Sequence, residues 1–102
     1  MVTYPNQKVV HINKPQYIKN FLQVGIDEWQ AAAKNLSAAT FKVYLYLASN
    51  ANGFDLALSP QAIEEQIGVS KSSYHRAIKE LTDNGYITNF QGNIYNFYTK
   101  PR

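Results

Sequence analysis

The sequence has no cysteine, which removes disulfides, thiolate nucleophiles and sulfur ligands for zinc, and fits a reducing cytosolic setting. Charge is sparse, at 17% Asp, Glu, Lys and Arg, and no block of one sign exists to form a polyelectrolyte tail. No apolar run approaches membrane-spanning length, and Met1 to Lys8 has no apolar signal-peptide core; the reading is a soluble protein kept in the cytoplasm, off the membrane. Histidine is scarce. His11 and His75 have no acidic companions at metal spacing, so neither a metal nor a cofactor is expected. Glu64 and Glu65 are adjacent on a helix and do not face each other, so they make a poor catalytic pair. No nucleophile–base pair or phosphate-cradling glycine loop is present, and the chain reads as no enzyme. Repeats and low-complexity segments are absent.

What is present is a chain of 102 residues with 45% hydrophobic content, enough for one self-sufficient core and too apolar for a disordered chain. The aromatic share is 14%, with eight Tyr, so some rings are candidates for an interface. The net charge of +3 permits a polyanionic partner but is too mild for binding driven by charge alone. Shape and polar contacts must then supply much of any affinity for nucleic acid.

Ser59 to Tyr86 organises the chain. Ser59 suits an N-cap and Pro60 the first helical position, where no backbone donor is needed. Ala62, Ile63 and Ile67 recur at helical spacing. Gly68 can take the positive φ that ends a short helix; Val69 plugs the corner, and Ser70 caps a second helix. Tyr74, Ala77, Ile78 and Leu81 give that helix an apolar stripe, and Asn84-Gly85 stops it. Two short helices hinged at a glycine turn, the second with a polar outer face, form a helix-turn-helix pattern.

The flanks read as follows. Lys8 to Ile12 and Tyr17 to Val24 are β-prone, with Asn13 to Gln16 as the turn between them. A two-stranded hairpin is marginal alone, so it packs either on the domain or on a second subunit. Asp27 is a candidate cap for a short helix, with Gln30 completing a capping box and Trp29 as a core anchor. Asn35-Leu36 ends that helix, and Ser37 caps the next. Ser37 to Asn50 is apolar almost all round and reads as a buried core helix. Asn50 to Gly53 is a loop, and Phe54 to Leu58 alternates like a strand. At the other end, Tyr86 to Phe90 and Ile94 to Thr99 flank Gln91-Gly92-Asn93, a hairpin signal.

Leu58 to Tyr98 resembles the winged helix-turn-helix family in its order of strand, helix, turn, recognition helix and β-hairpin wing. The segments Ala62 to Ser70 and Ile78 to Ile87 are similar in wording to that family. The fold expected is α+β: residues 1–102 form a single domain, with an N-terminal β-rich extension and short helix over 1–35 and a winged helix-turn-helix core over 36–102.

Off the apolar stripe of the second helix stand Lys71, Ser72, Ser73, His75, Arg76, Lys79, Glu80 and Asp83, with donors crowding the first two turns and both acids near the end. Recognition helices read base edges with their N-terminal residues, and the positive end of the helix dipole favours phosphates. Arg76 has the bidentate fork suited to guanine O6 and N7 or to a phosphate; Lys71 and Lys79 suit phosphates. On the wing, Asn89, Gln91, Asn93 and Asn96 are amides that can read adenine or a minor-groove edge, or serve as turn residues. Lys100 and Arg102 can follow a phosphate strand or the minor groove, or belong to a frayed terminus. Tyr95, Phe97 and Tyr98 can stack bases or pack the core. The wing lacks the Lys and Arg that many wings carry, so the usual division of labour between helix and wing is open.

The reading is a sequence- or shape-specific double-stranded DNA-binding protein acting as a homodimer, with the N-terminal segment as the candidate for self-association. Phe21 to Val24 through Trp29, followed by the Leu36-Ser37 helix, is similar to winged domains of replication initiators and accessory proteins on plasmids and phages of Gram-positive bacteria, and the size and layout of the chain resemble the TcpK-like relaxosome accessory proteins of clostridial conjugative plasmids. That resemblance implies a mobile element, action at an origin of transfer or replication, and a relaxase or replication protein as a further partner. The rival readings are a compact transcriptional repressor and, from another class, a protein-interaction module without DNA binding.

Overall fold

A computed structural model describes residues 8–13, 22, 24–49, 58–91 and 94–101, with backbone alone at 89–91 and 94. Its elements are α1 (Ile26–Asn35), α2 (Ala38–Ala48), α3 (Pro60–Ile67), α4 (Lys71–Asp83), β1 (Ile87–Gln91) and β2 (Ile94–Phe97). Among the described residues, four helices and one small antiparallel sheet make an α+β helix-turn-helix architecture with a terminal hairpin.

The helix-turn-helix forms for local reasons. The Ser59 hydroxyl accepts from the Ala62 N–H at 3.4 Å, and Pro60 opens α3. Gly68 ends α3 at φ 71°, a left-handed conformation that L side chains disfavour, and its N–H donates to the Glu64 carbonyl at 3.0 Å. The Ser70 hydroxyl then accepts from the Ser73 N–H at 3.3 Å and starts α4. At the far end of α4, the Tyr86 N–H returns to the Leu81 carbonyl and the Gly85 N–H to that of Thr82, with Gly85 at φ 86°. This crossed pair is a Schellman motif, and its apolar contact is supplied by buried Leu81 and Tyr86.

The core lies between α2 and α4 and is closed by α3 and the hairpin. Val43, Tyr44 and Leu47 from α2 meet Ile63, Val69, Tyr74, Ala77 and Leu81, with Tyr86 and Ile87 beneath. The Tyr44 ring stands edge-on to Tyr86 and Phe97, at centroid distances of 5.5 and 5.6 Å. Its hydroxyl donates to the Thr99 carbonyl at 2.8 Å, so one side chain of α2 holds both the hairpin and the segment after it. Burial pushes the Tyr44 phenol up to about 12. The hairpin pairs Ile87 with Phe97, Thr88 with Asn96 and Asn89 with Tyr95; the register then shifts so that Gln91 meets Ile94. An irregularity of this kind increases the local twist of the strand that carries it.

Several expectations need correction. Helix α1 begins at Ile26, with Gly25 as N-cap instead of Asp27. The Glu28 carboxylate accepts from the Gly25 N–H at 3.1 Å, so Glu28 takes the N3 place that Gln30 was expected to fill behind Asp27. Gly25 has no side chain to return the bond, so this is half of a capping box. Trp29 is not a core anchor: it is 39% exposed, and Ala32 is the residue α1 buries. Lys8 to Ile12 carries no β pairing, and residues 8–13 are exposed. Most of the second expected N-terminal strand, the loop after α2 and Phe54 to Ala57 lie outside the described residues.

Candidate nucleic-acid interface

Helix α4 turns Tyr74, Ala77 and Leu81 into the core, with Ile78 half-buried beside them. That spacing forces the residues between them outward. Lys71, Ser72, His75, Arg76 and Lys79 are exposed, and Ser73 is half-buried. The Arg76 guanidinium donates to the Ser73 hydroxyl at 3.3 Å, one turn back toward the N-terminus, which draws the fork over the start of the helix. The hydroxyls of Ser70 and Ser72 lie 3.4 Å apart, and the His75 ring meets Tyr74 edge-on at 5.2 Å. Burial raises the Tyr74 phenol above its ordinary value, so it stays protonated under this surface. Beside Lys71, an open depression of about 370 Å³ is lined by Ser59, Pro60, Gln61 and Glu64 from the start of α3.

The two acids of α4 are both taken out of play. Asp83 pairs with Lys79 at 3.1 Å, an exposed i, i+4 bridge that leaves the lysine at the C-terminal end of the face. Glu80, read from the sequence as part of the outer face, turns inward instead. One carboxylate oxygen accepts from the Ser37 N–H at 2.9 Å, and the other from the hydroxyls of Ser37 and Thr40 at 2.9 and 2.8 Å. Thr40 is 2% exposed. The carboxylate thus caps the N-terminus of α2 from another helix, where the dipole also favours an anion. Desolvation opposes its ionisation, but the bonds from Ser37 and Thr40 win and hold it below the ordinary carboxylate value. A sequence clue to this contact exists: α2 starts with Ser37 and has no acid in its own first turn, so its N-terminal donors invite one from elsewhere.

The first turns of α4 therefore carry Lys71, Ser72, His75 and Arg76 outward, with no acidic residue in the first turn. Asn89 and Gln91 lie on β1, and Lys100 is exposed just after the Thr99 carbonyl that Tyr44 holds. Asn96 and Tyr95 on β2 are exposed, whereas Phe97 packs against the core. Asn93 and Arg102 lie outside the described residues. The Tyr44 anchor for the C-terminal segment was not read from the sequence, because nothing local marks a core tyrosine as the partner of a carbonyl so far along the chain. Among the described residues, no group of His, Asp and Glu could hold a metal ion, and no helix is long and apolar enough to cross a membrane.

No curated protein and no solved structure matches the chain. A family model described as a helix-turn-helix domain matches residues 34–87, more than half of the chain, from the end of α1 to the first residue of β1. The chain belongs to the helix-turn-helix domain family, which points to DNA as its partner.

Proposed function

We propose that this protein binds duplex DNA with sequence or shape preference, presenting the first two turns of α4 to the major groove and the terminal hairpin to the flanking backbone or minor groove. The observation that carries the reading is the electrostatic arrangement of α4: its donors crowd the positive end of the helix, while of its two acids Glu80 is turned onto α2 and Asp83 lies in the last turn, paired with Lys79. In this arrangement Arg76 reads a base edge or grips a phosphate, Lys71 and Lys79 contact phosphates, and Ser72, Ser73 and His75 fit close against the groove. Asn89, Gln91 and Asn93 of the wing, with Lys100 and Arg102, follow the flank.

The resemblance of the Phe21 to Trp29 stretch and the Leu36-Ser37 helix, together with that of the chain's size and layout, extends the proposal to a homodimeric accessory factor of a mobile element, acting at an origin of transfer or replication beside a relaxase or replication protein. Selection of bound duplexes from a random library, followed by mapping the recovered site, tests both levels. Repeats beside an origin support the accessory role, and an operator over the protein's own gene turns the reading to a repressor. Affinity for the recovered site should fall by roughly 0.9 log units per tenfold salt for each phosphate contacted. Absence of duplex affinity at low ionic strength would make the domain a protein-interaction module and overturn the proposal.

A further inference from the structure

Helix α1 is poorly accounted for by the contacts of one chain. It has ten residues and buries Ala32 alone; its substantial neighbour among the described elements is α2. Helices shorter than about 12 residues are marginal in water without a buried face. Yet Ile26 is 67% exposed, Trp29 is 39% exposed, and Ala33 is exposed with them. Ile26 and Ala33 lie two turns apart on one line of the helix, with Trp29 beside it. Asp27 and Lys34, also two turns apart, form a parallel line next to the apolar one, and neither makes an ion pair among the described residues.

We infer that this face of α1 is a dimerisation surface whose occupant is α1 of a second copy of the chain, running antiparallel. The charge pattern selects both the occupant and the direction. Antiparallel pairing sets Asp27 against the second copy's Lys34 and, by the two-fold axis, Lys34 against its Asp27. Parallel pairing would place the two charged lines on opposite sides of the seam, where neither charge meets a partner. Ile26, Trp29 and Ala33 then close over one another, and Gln30 falls next to the axis. A face about 15 Å long buries less than a standard interface, so the free dimer is weak and gains strength when two copies occupy adjacent half-sites. Because α1 rests on α2, away from the outer face of α4, pairing leaves both recognition helices open, and the DNA site it demands is an inverted repeat. That last consequence rests on the DNA-binding proposal; the dimer itself does not.

The sequence has no cysteine, so a single introduced one reports cleanly. Gln30→Cys, oxidised without DNA, should give a covalent dimer whose yield rises with protein concentration, whereas Gln66→Cys on exposed α3 should not. Asp27→Lys and Lys34→Asp should each weaken association in sedimentation equilibrium by about threefold or more, and the two together should restore it. Ile26→Asp should abolish the dimer and leave the melting temperature nearly unchanged. A monomer at every concentration, cross-linking equal at both cysteines, or a paired swap that fails to rescue overturns the inference. So does loss of monomer stability in Ile26→Asp, which would show that the face is covered by the chain's own residues. A dimer that ignores duplex DNA would sink the proposed function and leave this one standing; a monomer that binds a single site does the reverse.

Discussion

At the scale of single residues, Arg76 and Tyr86 make the sharpest tests. Arg76 is exposed and held over the start of α4 by Ser73. Arg76→Ala should cost about 1–3 kcal/mol on the specific site and relax preference at one base pair, as read by competition titration. Equal loss on every sequence would assign Arg76 to a phosphate. Tyr86 is 1% exposed, and its hydroxyl has no hydrogen-bond partner among the described residues. A buried hydroxyl without a partner is destabilising by about 1–3 kcal/mol, so Tyr86→Phe should match or exceed the parent in urea denaturation. A clear drop in midpoint would mean that the hydroxyl is satisfied. The sequence marks Arg76 by its place on a polar face. It does not mark the orphan hydroxyl, which exists because the ring is needed against Tyr44.

At the scale of elements, the turn and the wing carry different demands. A side chain at Gly68 would meet nothing within 4 Å, so only its backbone angle resists substitution. Gly68→Ala should therefore lower stability by about 1–2 kcal/mol without a packing defect, measured as a shift in denaturation midpoint at unchanged slope. The hairpin is a separate matter. Gln91→Ala with Asn93→Ala should weaken DNA binding at constant melting temperature if the tip touches the duplex; unchanged affinity would leave both as turn residues. Helices α3 and α4 were legible because their caps, stops and apolar spacing are all local. Helix α1 was legible in existence but not in its start or its buried face. Gly25 and Asp27 are both acceptable caps, and Trp29 looks like core until its exposure is known.

At the scale of the whole molecule, Glu80 ties α4 to α2 and makes stability depend on pH. Its folded-state pKa lies below its ordinary value. The unfolded chain therefore takes up a proton first as pH falls, so the contribution is complete above the ordinary carboxylate range and is lost progressively below it. Glu80→Gln should lower stability at neutral pH by about 1–2 kcal/mol and flatten the acid limb of stability against pH. An unchanged acid limb would mean that another carboxylate governs it. Tyr44 acts in the opposite sense at the alkaline end. Its pKa is raised to about 12 from 10.0, so its contribution is complete below pH 10 and is lost as pH rises through 12.

The sequence by itself determined the helix-turn-helix, its caps, the core stripe of α4 and the hairpin that follows, because each depends on residues within a few positions of one another. Only the tertiary structure decided that Glu80 leaves the outer face to cap α2, that Tyr44 holds the segment before Lys100, and that Trp29 stays at the surface. Those outcomes join residues 43 and 55 positions apart, or turn on how far other elements cover a side chain. Periodicity tells which side of a helix is apolar; the packing of one element on another decides which polar groups find partners and which apolar ones remain open.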